Sequence, residues 1–147
     1  MKRMKRAIGY VCDIPVRDSD LVITKEDQRI RILKYAEKEN LELISIYEDD
    51  CYTRDCMSRP GVKKLCECNE NFDLVLVERV WAFGRKMNEI EPFLNWLDSK
   101  KVPLVCTSYL WDCVSQQVRR RYSENLLEKM HKEAVAQAES KHKDKAA

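Results

Sequence analysis

The chain has 147 residues, enough for one domain with a substantial core. Apolar residues make up 44% and charged residues 35%, which excludes a disordered tail. Lys plus Arg number 27 against 25 Asp plus Glu, and this net +2 excludes a protein that coats nucleic acid by charge alone, though not a local basic patch.

A basic leader, Lys2, Arg3, Lys5 and Arg6, precedes the apolar run Ala7 to Cys12, which reads as a first strand. Asp13, Pro15 and Arg17 cut that run too short for a signal peptide, and residues 13–23 read as a loop. Thr24 and Asp27 resemble a capping box and open a helix to about Asn40, with Ile30, Leu33, Ile32 and Ala36 as its apolar residues. Leu41 to Tyr47 is rich in aliphatic and β-branched residues and predicts a second strand. After a polar loop at 48–58, Pro60 suits the first turn of a short helix over 61–68. Phe72 to Val77 is the strongest buried-strand signal. A helix follows over 86–100, with Ile90, Phe93, Leu94 and Leu97 on one face. Val102 to Thr107 reads as a fourth strand.

From Ser115 to about Glu139 neither Pro nor Gly occurs, and Val118, Tyr122, Leu126, Met130 and Ala134 recur every fourth residue. That pattern predicts one long helix whose apolar stripe needs a partner in the domain or in another subunit. The expected organisation is an α/β domain at 1–114, the long helix at 115–141 and a disordered tail at 142–147. Alternating strands and helices imply a mostly parallel sheet of four to five strands with flanking helices. Ligand sites in such sheets lie at the carboxyl ends of the strands, which selects the loops 13–23, 48–58, 78–85 and 108–114. No run of 18 apolar residues occurs, so no membrane contact is expected and a cytoplasmic setting is, with the seven cysteines as reduced thiols.

Those loops carry signals in a recognisable order. Ile8-Gly9-Tyr10-Val11 opens the chain, followed by Asp27-Gln28-Arg29, Tyr35-Ala36-Glu37, Tyr47 and Asp50. Then come Ser58-Arg59-Pro60-Gly61, the run Asp73 to Val77, Phe83-Gly84-Arg85 and finally Ala134 to Glu139. Together they resemble the catalytic domain of the resolvase/invertase family of serine site-specific recombinases, over roughly residues 5–140. The resemblance implies a resolvase-like fold of bacterial or mobile-element origin and a dimerisation role for the long helix. The implied chemistry is DNA cleavage and rejoining through a phosphoserine, with arginines clamping the transition-state charge and no cofactor or metal.

The pattern is incomplete. Where the family's first strand ends in Tyr-x-Arg-x-Ser, Tyr10 is followed by Cys12 and Ile14. Where it has Asp-Arg-x-x-Arg, a gapless match puts Trp81 and Ala82 at the first pair and keeps only Arg85. Arg59 and Gln28 match. Arg17-Asp18-Ser19 repeats the Arg-x-Ser spacing five residues late, and Ser19 keeps the family spacing to Gln28, so Ser19 and Arg17 are candidates for a displaced nucleophile and its arginine. Cys12 is another nucleophile candidate, but it has no nearby His.

Each remaining candidate has a plainer role beside the functional one. Arg59, Arg85 and Gln28 are phosphate or DNA ligands, or else a helix-end bond, a surface pair and a helix-surface residue. Trp81 is a stacking platform or a core aromatic. Arg119, Arg120 and Arg121 form the densest basic cluster, serving weak DNA contact or a solvated helix face. Cys66 and Cys68 on one helix would point about 200° apart, so a zinc site shared with Cys51 and Cys56 is not expected.

The chain ends eight residues past Glu139, so an appended helix-turn-helix is not expected. The leading expectation is a catalytically degenerate recombinase-like domain that assembles or regulates. It would homodimerise, or pair with a recombinase, through 115–141. The alternatives are an active fragment using Ser19, and an α/β binding module for a phosphate-bearing ligand.

Overall fold

The computed structural model describes residues 4–50, 52–108 and 112–122. Four strands, β1 (Arg6–Cys12), β4 (Glu42–Asp49), β5 (Leu74–Val77) and β6 (Leu104–Cys106), form one sheet in the order β4-β1-β5-β6. Every pairing in it is parallel, with Gly9 opposite both Ile46 and Leu76. Between the strands run α1 (Lys25–Lys38), α2 (Pro60–Cys66) and α3 (Met87–Lys100), and α4 begins at Cys113 and is described as far as Tyr122. The expected parallel α/β sheet with flanking helices is thus present.

The period-2 alternation of β1 feeds two cores. Ile8, Tyr10 and Cys12 enter the larger one with Val62, Leu65, Phe83, Ile90, Phe93, Leu94 and Leu97. Ala7 and Val11 enter the other with Ile32 and Ala36 of α1. Gly9 allows this close approach, because a Cβ there would lie 3.2 Å from Ile46 and 3.4 Å from Ile32. Val118 and Tyr122 of α4 also reach the larger core; Leu126, Met130 and Ala134 of the expected stripe lie outside the described residues, as does the 142–147 tail.

Several local expectations need correction. Residues 13–23 are not a plain loop: β2 (Ile14–Pro15) and β3 (Val22–Ile23) pair antiparallel, and Val16 N–H donates to Leu21 O at 2.9 Å. Of the apolar residues expected on α1, Ile32 and Ala36 are buried but Ile30 and Leu33 are each 49% exposed. The buried face of α1 is completed by Gln28, which lies one turn before Ile32 on the same face but whose polarity suggested solvent. α2 stops at Cys66, so Cys68 lies past its end, and β4 runs two residues past Tyr47, to Asp49. Six cysteines, Cys12, Cys56, Cys66, Cys68, Cys106 and Cys113, carry free thiols among the described residues.

Candidate active site

β1 sits at the point where the chain turns from one half of the sheet to the other: the first crossover leads to β4 on one side, the next to β5 on the other. Crevices at such switch points are where parallel sheets bind ligands. At its floor lies a buried polar network. The Tyr10 hydroxyl donates to Asp49 Oδ2 at 2.7 Å. Asp49 also accepts the N–H groups of Gly61 at 2.7 Å and Val62 at 3.2 Å, at the start of α2, where orphan donors and the helix dipole favour an anion. Gly61 is obligatory for this approach, since a Cβ would stand 2.2 Å from Glu48 O and 2.6 Å from the Asp49 carboxylate. Burial pushes the Tyr10 phenol far above its ordinary value, against the pull of Arg59, so it stays a neutral donor.

Arg59 precedes α2 and is only 2% exposed. Its Nε donates to Thr53 Oγ1, Nη1 to the Tyr10 hydroxyl and Ala82 O, and Nη2 to Thr53 O and Phe83 O. A guanidinium has five N–H donors, so these five bonds use them all. The Tyr52 ring covers one face, 5.0 Å from Cζ. Tyr10, Phe83 and Phe93 stack beneath, with centroids 4.6 and 4.2 Å apart, tying the network to α3.

Gln28 faces the end of β1 from α1 and is fully buried. It accepts the Cys12 N–H at 3.2 Å and donates to Cys12 O at 2.7 Å and Ile23 O at 3.1 Å. The side chain therefore fixes the peptide at the mouth of the crevice rather than facing solvent. Burial raises the Cys12 thiol, with Arg59 opposing, so Cys12 is held as a thiol and not a thiolate. Ile14 is fully buried as well.

Ser19 and Arg17 lie exposed at the tip of the β2–β3 hairpin, in a turn where Asp18 has φ 58°. Ser19 Oγ donates to Val16 O at 3.2 Å and accepts Leu21 N–H at 3.1 Å. Arg85, half-buried at the start of α3, reaches the base of the same hairpin, where Nη2 donates to Pro15 O at 2.7 Å. Its guanidinium lies over the Trp81 ring, 4.4 Å from the centroid. The three arginines of α4 diverge: Arg119 donates to Ser108 O, Arg121 pairs with Asp98, and Arg120 is exposed.

Sequence reasoning passed over Asp49, singling out its neighbour Asp50, which is exposed and pairs with Lys25. The available signal was the helix start at Pro60-Gly61, which calls for an anion. It also passed over Glu78 and Arg79 at the end of β5, where Arg79 Nε donates to both carboxylate oxygens of the 1% exposed Glu78, at 2.9 and 2.6 Å. Among the described residues no cluster of His, Cys, Asp and Glu could hold a metal ion, and no helix is long and apolar enough to cross a membrane.

The family model described as "Resolvase, N terminal domain" matches residues 18–145. The fold is similar to that of the N-terminal catalytic domain of TP901-1 integrase, with a TM-score of 0.61 at 18% identity over 87% of this chain and 99% of that one. It is also similar to the C-terminal catalytic domain of ISC1926 TnpA, an IS607-like serine recombinase (TM-score 0.56, 17% identity, 84% and 78% covered). A third is a resolvase family site-specific recombinase from Streptococcus pneumoniae (TM-score 0.55, 16% identity, 91% and 98% covered). No curated protein matches.

Proposed function

The chain belongs to the resolvase N-terminal domain family, and from that premise we propose that it is a catalytically degenerate serine-recombinase-like domain that assembles or regulates DNA recombination. The observation that carries the reading is the packing at the positions where the family pattern needs a nucleophile and clamp. Cys12 and Ile14 are fully buried, and Arg59 spends every donor on the protein. A clamp works by aiming unused donors at the developing charge, and Arg59 has none left. Arg85 is the arginine of the pattern that retains donors facing outward, and it is the proposed phosphate contact.

Assembly would run through 115–141, as a homodimer or with an active recombinase. The chain is expected to sediment above its monomer mass. With a DNA duplex carrying a recombination site, no covalent adduct is expected after denaturing trapping. A phosphoserine-linked complex that Ser19→Ala abolishes would overturn the degeneracy. One observation favours that second reading: the bond from Arg85 to Pro15 brings the base of the Ser19 hairpin against the proposed phosphate ligand.

A further inference from the structure

We infer that Trp81 is a positioning residue that holds the Arg85 guanidinium by its face, leaving its edge for a phosphodiester; this rests on Arg85 being a phosphate ligand. Trp81 lies in the turn Val80–Ala82, between the Glu78–Arg79 pair and Arg85. It packs against the larger core. The indole lies close to the Asp112 carboxylate, whose ionised form it favours. Asp112 in turn accepts the N–H of Ser115 at 2.9 Å and its hydroxyl at 2.7 Å, in the first turn of α4. Burial would raise the Asp112 carboxyl, but these bonds outweigh it and hold it below the ordinary value, so the acceptor stays ionised. The ring therefore sits between the larger core and the ionised Asp112 at the start of α4.

The manner of holding matters. The five N–H donors of a guanidinium lie in its plane, and a carboxylate partner would occupy two of them. A ring beneath the plane attracts the cation and occupies none. Arg85 has one in-plane bond, to the neutral Pro15 carbonyl, and no carboxylate partner among the described residues. The charge is thus oriented without being neutralised. A bidentate anion needs only the free edge, or that edge together with the place of one carbonyl.

The test titrates the full chain with a short DNA duplex across a range of salt concentrations. Arg85→Ala is expected to weaken binding and lower the salt slope by about one. Trp81→Leu is expected to weaken it about five-fold, Trp81→Phe to restore most of that, and W81L/R85A to bind like R85A alone. If wild type shows no saturable binding, or R85A binds like wild type, the phosphate reading fails and the positioning role with it. If R85A weakens binding and W81L does not, the reading stands and the positioning role is overturned. Trp81 also touches the larger core, so a second measurement leaves it in place. The Arg85 Nε–H proton of the wild type is expected upfield of free arginine through the indole ring current, and a resonance at the free value overturns the proposal.

Discussion

The side chains at the crevice divide by whether their polar atoms are spent or spare. Arg59 is spent, so its replacement acts on stability. Arg59→Lys keeps the charge but supplies three donors from one point, leaving at least two of the five acceptors unmet and the planar fork's geometry lost. A loss of roughly 2–4 kcal/mol is expected in urea unfolding. Gln28→Ala strands the N–H and C=O of Cys12 and should cost about 1–3 kcal/mol by the same measurement. Glu89 carries a pH dependence. Burial would raise its carboxyl, but the Arg85 N–H at 2.8 Å, the Tyr52 hydroxyl at 3.0 Å and the Lys86 N–H at 3.3 Å together depress it. A depressed carboxylate adds stability above its unfolded value and loses it as pH falls through the folded one. Unfolding free energy should therefore drop with acid below about pH 4.3, and more steeply than in Glu89→Gln.

The elements show what was legible beforehand and what was not. α3 was plain from Ile90, Phe93, Leu94 and Leu97, because one period governs its whole buried face. α1 was legible in extent but not in orientation. Its apolar face looked set by Ile30, Leu33, Ile32 and Ala36 together, yet only Ile32 and Ala36 turn inward, joined by Gln28, which serves the peptide at Cys12. A hydrogen bond between residues 16 apart leaves no periodic trace. The β2–β3 hairpin was missed for a similar reason. Two residues per strand around an Asp18 turn fall below any alternation signal, and its base is fixed by Arg85 from 70 residues away. The cap at Thr24 was readable, and its hydroxyl accepts the Asp27 N–H at 3.2 Å. Thr24→Ala should lower stability by about 1 kcal/mol, seen as a lower thermal midpoint by circular dichroism.

At the scale of the molecule, sheet order governs both rigidity and the crevice. β1 pairs on both sides and lies between two cores, so its amides open only with global unfolding. Hydrogen exchange is expected to be slowest at Ile8 to Val11 and faster in the edge strands β4 and β6; uniform protection across the sheet would contradict this. The parallel α/β class was legible from alternation alone, whereas the site was legible only as a set of residue types. Arg59, Arg85, Gln28 and Trp81 were all noticed, but whether each faces a ligand or the protein depends on contacts far apart in sequence. The arginine-proline-glycine context of Arg59 locks α2 to the sheet whether or not the chain cuts DNA. In other chains of this fold, then, finding that triplet attests to an intact scaffold and is silent on enzymatic competence.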